Sequence, residues 1–250
     1  MKILVVNPNT TAAMTATIAE AARAVASPGT SIIAVTSQMG PASIEGYYDE
    51  ALSLPGLLAE IAKGEEVGVD GHVIACFDDT GLEAARSLAG APVVGIGEAA
   101  FHLASLIAHR FCVVTTLSRS IAAIEGNLMR YGLERRCAKV RACEVPVLAL
   151  EEEGSDARRR IGAEIADALR DDRAEAIVLG CAGMARLAAS LSLEHGVPVI
   201  DGVSAAVTLI EGLARQGLRT SKRGPYAEPR AKPYAGILAG FAPRREIPKM

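Results

Sequence analysis

Val73-Ile74-Ala75-Cys76-Phe77-Asp78-Asp79-Thr80-Gly81 and Val178-Leu179-Gly180-Cys181-Ala182-Gly183-Met184 carry the same pattern at two places in the chain. Each is a short apolar run that ends in a cysteine and gives way to small or polar residues before a helical stretch. The second stands about 105 positions after the first, and other pairs keep that spacing and order. Ala59-Glu60-Ile61-Ala62 matches Ala163-Glu164-Ile165-Ala166, and Ala91-Pro92-Val93-Val94 matches Val197-Pro198-Val199-Ile200. Ile3-Leu4-Val5-Val6-Asn7 matches Phe111-Cys112-Val113-Val114-Thr115. One such match is ordinary in an α/β sequence; the ordered set implies a duplicated unit.

β-Branched runs alternate with Ala-rich helical stretches, the signature of parallel α/β architecture. Strands are predicted at Ile3–Val6, Ser31–Thr36, His72–Ala75, Val93–Ile96, Phe111–Thr115, Lys139–Cys143, Ala176–Gly180 and Val197–Ile200. Helices are predicted over Met14–Val25, Gly81–Ala89, Arg158–Leu169 and Ala205–Arg215, among others. The expected fold is α/β, with two pseudo-symmetric lobes at 1–98 and 99–206. Each lobe holds a parallel four-stranded sheet flanked by helices, and the active site lies in the cleft between them. Ligands of open parallel sheets bind beyond the carboxyl ends of the strands. The loops to inspect are therefore Asn7–Thr11, Cys76–Thr80, Thr115–Ser120 and Cys181–Met184.

Composition agrees with that plan and narrows function. The 250 residues sit between one domain and two, and 50% hydrophobic with 22% charged content supplies a sizeable core. A net charge of −3 offers no general attraction to nucleic acid or anionic lipid. Aromatics at 4%, with no Trp, make a base-stacking platform improbable. Five cysteines, without a CxxC pair, argue against a disulfide framework and a paired-cysteine zinc site. The apolar start Ile3–Val6 stops at Asn7-Pro8, too short for a signal-peptide core, and no segment reads as a membrane span. A soluble cytoplasmic protein with reduced thiols is the expectation. From Arg219 the chain carries eight Lys/Arg, two Glu and five of the twelve prolines. This reads as an irregular surface segment or, functionally, as an anion-binding or subunit-contact arm.

Cys76 and Cys181 occupy equivalent strand-to-helix positions, where free N–H groups and the helix dipole favour a thiolate. Cys112 lies inside a predicted strand, Cys137 follows Arg135-Arg136, and Cys143 falls in an apolar run. A lone cysteine is commonly a small buried hydrophobe; two at matched positions on one cleft suggest chemistry. A thiolate on one side of a flat substrate can remove a proton, and a thiol on the other side can return one. That is a two-base racemase or isomerase with no required cofactor. Backbone amides after each cysteine are placed to receive the charge of a carbanion or enolate.

The motifs Cys76-Phe77-Asp78-Asp79-Thr80-Gly81 and Gly180-Cys181-Ala182-Gly183-Met184 resemble the aspartate/glutamate racemase superfamily, and within it the hydantoin racemases. Asn7-Pro8-Asn9-Thr10-Thr11, Gly40–Tyr47, Val113–Ser120, Thr220-Ser221-Lys222 and Tyr226-Ala227 match as well, so the resemblance reaches nearly to Phe241. It implies two α/β lobes around one active site, with residues 207–250 packing back on the first lobe, and a homo-oligomer. Amino-acid racemases of the superfamily carry Cys-Asn-Thr and Gly-Cys-Thr, whose polar followers hold a carboxylate. Here the followers are Phe77 and Ala182, which suit a neutral ring amide better. The resemblance therefore implies a cofactor-independent racemase of 5-monosubstituted hydantoins. Cys76 and Cys181 would flank C5, and the amides of Phe77, Asp78, Ala182 and Gly183 would contact the C4 oxygen. Asn9, Thr116 and Ser118 would bond the remaining ring groups, and Tyr47 would close the cleft beside the 5-substituent. Phe77 would pack on the ring or its substituent. Asp78 and Asn9 also have a plain alternative as helix N-caps.

Other readings compete with this one. Gly95-Ile96-Gly97-Glu98-Ala99-Ala100 has the form GxGxxA, but Glu98 would repel a pyrophosphate and no ribose-binding acid follows. His72, His102, His109 and His195 are scattered, so no metal site is expected. A non-catalytic two-lobed ligand-binding protein is the alternative of another class. Within the enzyme class, allantoin or an aspartate/glutamate-type amino acid is the alternative substrate.

Overall fold

Eight strands form two separate four-stranded sheets in which every pairing is parallel. The computed structural model describes residues 1–152 and 154–243. In the first sheet, β1 (Lys2–Asn7), β2 (Ser31–Thr36), β3 (Gly71–Ile74) and β4 (Val93–Gly95) lie in the order β2-β1-β3-β4. In the second, β5 (Phe111–Thr115), β6 (Cys137–Ala142), β7 (Ala176–Gly180) and β8 (Val199–Asp201) lie in the order β6-β5-β7-β8. Element for element the two orders are the same. The central pairs are in register at Val5–Val73 in one sheet and Val113–Val178 in the other. The duplication read from the sequence is therefore a duplication of topology.

Helices α1 (Ala12–Val25), α2 (Tyr47–Glu66), α3 (Leu82–Leu88) and α4 (Ile96–Ile107) follow the first four strands in turn. Helices α5 (Ile121–Arg130), α6 (Ala157–Asp171), α7 (Ala188–His195) and α8 (Gly202–Arg215) follow the second four. Strand residues alternate between two apolar layers, as a period of two requires. Ile3 and Val5 face a central core shared by both sheets, while Leu4 and Val6 face an outer core with Leu57 and Ile61 of α2. The second sheet repeats this: Val113 and Val178 point to the centre, Val114 and Leu179 to an outer core with Ile161 and Ile165 of α6. With both faces covered, the strands read as continuous apolar runs.

The central layer is where the lobes join. Helices α4 and α8 cross there, and a Cβ on Gly202 would stand 2.4 Å from the Ile96 carbonyl, so only glycine permits the approach. Three of the four phenylalanines gather in this layer. Phe77 meets Phe101 edge-on at 5.4 Å, and Phe101 stacks on Phe111 at 6.1 Å. Helix α8 is tied to the first lobe by Glu211, which is 3% exposed and accepts from the Ser27 amide, the Ser27 hydroxyl and the Thr30 hydroxyl.

Five predicted strands differ in their bounds: the first widens by one residue at each end to Lys2–Asn7, and the third moves back by one to Gly71–Ile74. The strand expected over Val93–Ile96 ends at Gly95, because Ile96 already opens α4. The strand expected at Lys139–Cys143 starts at Cys137 and stops at Ala142, with a register slip opposite Phe111 and Cys112. The last strand shifts to Val199–Asp201, since Pro198 has no N–H to give the ladder. Helix α2 runs through Pro55, held by the buried face of Leu57 and Ile61.

After α8 the chain returns to the first lobe. The Thr220 amide donates to the Gly90 carbonyl, Lys222 Nζ donates to the carbonyls of Arg86 and Ser87, and Arg86 lies over the Tyr226 ring at 5.9 Å. The stretch holds only two short 3-10 turns, and Glu228 to Gly240 is exposed throughout. The end of this arm, residues 244–250, lies outside the described residues. Among the described residues no helix is long and apolar enough to cross a membrane.

Candidate active site

The carboxyl ends of β1, β3, β5 and β7 converge on one cavity of about 40 Å³. Because each sheet contributes its two central strands, the four loops inspected in the sequence meet at this point. Cys76 and Cys181 both line the cavity, joined by Asn9 from the first loop, Met14 from α1, and Thr115, Thr116 and Ser120 from the third loop. Ile44 and Val147 close it as apolar walls. The rim is stitched across the lobes, with the Val147 amide donating to Glu45 Oε1 at 3.0 Å and the Thr17 hydroxyl to Glu151 Oε2 at 2.9 Å.

The two thiols are built alike. In each loop the amide three residues after the cysteine closes a turn on the cysteine carbonyl: Asp79 on Cys76 at 3.0 Å, and Met184 on Cys181 at 3.1 Å. In each, the amide two residues on, from Asp78 in one loop and Gly183 in the other, works to lower the thiol pKa. Cys76 Sγ also lies 3.3 Å from the Thr80 hydroxyl. Burial nevertheless dominates. It holds the Cys76 thiol far above its ordinary range, with the Asp78 carboxylate adding to the rise, and it pushes Cys181 up to about 12. Burial thus outweighs any lowering expected from a helix start, and neither sulfur stands directly at one. Helix α3 does not begin until Leu82, and a 3-10 turn, Ala182–Leu187, separates Cys181 from α7.

Asp78 and Asp79 do different work. Asp78 lines the cavity, and burial together with the charges of Glu50 and Asp79 pushes its carboxyl up to about 7. It does not cap α3, whose N-terminal residue Gly81 has no side-chain cap. Asp79 is 4% exposed and has a left-handed backbone, φ 51°, which Asp tolerates better than most residues. Its carboxylate accepts from the amides of Gly97 at 2.9 Å and Glu98 at 2.8 Å, at the start of α4, and from the Tyr131 hydroxyl at 2.8 Å. A Cβ on Gly95 would come within 2.0 Å of that carboxylate, and one on Gly97 within 2.8 Å. The glycines of the GxGxxA string thus make room for an internal carboxylate at a helix N-terminus.

The structure brings most of the sequence-selected residues together. Cys76, Cys181, Asn9, Phe77, Asp78, Thr116 and Ala182 all line the cavity. Asn9 is 5% exposed, and its side-chain oxygen accepts from the Thr11 amide in a turn before α1; it is not the N-cap, a place that Thr11 takes with no side-chain cap bond. Phe77 belongs to the wall, but its ring packs against Phe101 in the core rather than standing free. Three residues fall elsewhere. Ser118 is exposed on a 3-10 turn with its amide bonded to Glu144, and Ser120, at the end of that turn, lines the cavity instead. Gly183 lies behind Cys181, facing Leu150. Tyr47, 64% exposed, opens α2 and lines a second cavity of about 300 Å³ with Glu50, Asp78, Thr80 and Arg130. Asp78 is shared by the two cavities, and Glu50 Oε1 is buried without a hydrogen-bond partner. Ser120 and Ile44 sit inside sequence stretches already singled out, whereas Val147 gave no signal.

A family model described as Asp/Glu/Hydantoin racemase matches residues 3–210. A hydantoin racemase of Rhizobium meliloti is 53% identical over 94% of this chain and 98% of its own length. A hydantoin racemase of Pseudomonas sp. (strain NS671) is 49% identical over 96% of this chain and 97% of its own length. Among solved structures, an allantoin racemase from Klebsiella pneumoniae is 51% identical, with a TM-score of 0.95, covering 98% of this chain and 100% of that one.

Proposed function

The chain belongs to the Asp/Glu/Hydantoin racemase family, and on that premise we propose that it racemises 5-monosubstituted hydantoins by proton transfer between Cys76 and Cys181. What carries the reading is the placement of two cysteines, at equivalent positions of two like lobes, on one small cavity. In one direction a Cys76 or Cys181 thiolate takes the proton from C5, and the electron pair moves into the ring amide as an enolate at the C4 oxygen. The opposite thiol then gives its proton to the other face of C5. Atoms and charge balance, with the two cysteines left in exchanged protonation states. No cofactor enters the scheme.

Burial makes either thiolate costly, so the amides of Asp78 and Gly183 serve the sulfurs. This assigns the enolate oxygen to the amides of Phe77 and Ala182. Asn9, Thr116 and Ser120 are the polar side chains left to hold the ring amides. A cavity of about 40 Å³ holds about three waters, so it suits a small flat ring and leaves the 5-substituent to extend into the neighbouring cavity past Asp78. That second cavity is lined by Glu50, Asp78, Thr80 and Arg130, and its polar walls favour a substituent rich in N–H groups. Allantoin, whose 5-substituent is a ureido group, is for this reason the second reading of the substrate.

A subunit contact through the exposed arm is proposed with it. Ile237 is 97% exposed and Leu238 44%, and a second copy of the chain would bury both. Light scattering on the full chain and on an Ile237→Asp variant tests this, with a smaller particle expected for the variant. The site within the cytoplasm remains the expectation for so thiol-dependent a reaction.

The test of function is incubation of one enantiomer of a 5-alkyl hydantoin, and separately of allantoin, with the protein in D₂O and no added cofactor. Loss of optical rotation together with deuterium at C5 is expected. Rotation and exchange no faster than in buffer, for both substituents, would overturn the reading.

A further inference from the structure

Two side chains of the second lobe grip the loop that carries Cys76. Asn127, 5% exposed on α5, donates from Nδ2 to the Asp78 carbonyl at 2.8 Å. Tyr131, one turn further on, donates its hydroxyl to the Asp79 carboxylate at 2.8 Å. Both act on the loop that orients the sulfur: the Asp79 amide closes the turn on the Cys76 carbonyl at 3.0 Å, and Asp78 is the residue inside that turn. Holding the carbonyl of residue 78 and the side chain of residue 79 fixes the peptide planes between them. A left-handed backbone at Asp79 needs such outside support, because the relaxed loop would leave that conformation.

Among the described residues the Cys181 loop has no buried counterpart to this grip; its ion pair across the lobes, Arg186 with Glu20 of α1, is exposed. Its turn, Ala182–Leu187, is held by its own 3-10 bonds. Helix α1, which corresponds to α5, buries Met14, Ile18 and Ala22 and sends the Thr17 hydroxyl to Glu151. Helix α5 starts at Ile121, directly after Ser120 on the cavity wall. One rigid element therefore runs from the second lobe's substrate loop to the first lobe's cysteine loop.

We propose that Asn127 and Tyr131 are positioning residues for Cys76, fixing its loop from the opposite lobe while Cys181 is positioned within its own. The inference rests on the reading of Cys76 as one of two proton-transferring thiols. It assigns a role in the reaction to Tyr131, which lines neither cavity, and to Asn127, which lines the second cavity but not the one that holds the two sulfurs.

The experiment uses the full chain and two variants, Asn127→Leu and Tyr131→Phe. Alkylation by iodoacetamide is followed at Cys76 and Cys181 separately, by peptide mass spectrometry, between pH 6 and pH 10, alongside racemisation kinetics. Each variant is expected to slow alkylation of Cys76 and move its pH profile upward while leaving the Cys181 profile in place. Racemisation kcat should fall about tenfold with KM within about twofold. Equal changes at both cysteines, or a Cys76 profile identical to the unsubstituted protein's, would overturn the proposal. Absence of racemisation in the unsubstituted protein would instead strike the functional reading, and the alkylation profiles would still decide the positioning one.

Discussion

The Cys76 and Cys181 loops start from the same place in two copies of one topology and are stabilised in opposite ways. The first is charged and held from outside: Asp78 and Asp79 follow the cysteine, and α4 and α5 supply the donors that satisfy them. The second is small and apolar, Ala182-Gly183-Met184, and closes on itself. After duplication, then, the backbone device was kept, an amide three residues on closing a turn on the cysteine carbonyl, while its support diverged. A racemase must handle two mirror-related substrates, and it can do so without two identical half-sites. On the proposed mechanism, what each half supplies is a thiol at one face of C5.

The largest effect should come from breaking either half. Cys76→Ser and Cys181→Ser are each expected to lower racemisation by about 10³-fold or more, measured by loss of optical rotation. Each should retain some C5 exchange in D₂O from one enantiomer only, and the two variants should prefer opposite enantiomers. Exchange from both enantiomers in either variant would show that the halves are not the two bases.

Next in size is a stability contrast. At Gly95 an added Cβ would stand 2.0 Å from Asp79 Oδ1, whereas at Gly183 it would meet the flexible end of Leu150 at 3.0 Å. Gly95→Ala must displace a buried carboxylate and strand its donors, at a cost of about 3 kcal/mol. Gly183→Ala should cost less than about 1 kcal/mol, since a side-chain tip can give way. Urea unfolding midpoints measure both. Equal costs would mean that the first loop is no more dependent on outside support than the second.

Much of this was legible in the sequence, and the limits have physical causes. The repeat, the two parallel sheets and the pair of cysteines followed from apolar periodicity and spacing. Asn9 and Thr116 followed because strand ends in parallel sheets point at ligands. Ser118 is expected at the ring from its place in the third loop, but the 3-10 turn rotates Ser118 outward and Ser120 inward. Phe77 was read as a free aromatic beside the cysteine, but Phe101 and Phe111 arrive from distant elements to cover its ring. Asn127 and Tyr131 left no local mark at all. Their partners lie 49 and 52 residues away, and only the packing of α5 across the lobes brings them together.

A smaller effect separates the loops by charge. Burial and neighbouring carboxylates push Asp78 up to about 7 and burial pushes Asp79 to about 7. From the ordinary carboxyl value to pH 7 the folded chain keeps protons that the unfolded chain has released, so stability falls as pH rises over that window. Asp78→Asn removes one of these two groups and should flatten the decline in Tm. Above pH 7 it also removes the charge that opposes the Cys76 thiolate, a charge that weighs more on Cys76 than on Cys181. Alkylation of Cys76 should rise about threefold, and that of Cys181 by less. A larger gain at Cys181 would reverse the assignment of Asp78 to the first half.

The smallest expected effect is the most exacting check on the contrast. Arg186, in the Cys181 turn, pairs with Glu20 of α1 at 2.7 Å, so this loop too has a contact from the other lobe. Its geometry matches the Tyr131–Asp79 bond in distance but not in setting: Arg186 is 51% exposed and Glu20 65%, while Asp79 is buried. Water screens the exposed pair and competes for both groups, so its net contribution should be at most about 0.5 kcal/mol. Arg186→Ala should therefore leave the unfolding midpoint nearly unchanged and the alkylation profile of Cys181 in place, where Tyr131→Phe moves that of Cys76. A shift at Cys181 as large as the one at Cys76 would mean that both loops are held across the cleft, the second by charge rather than by a buried hydrogen bond.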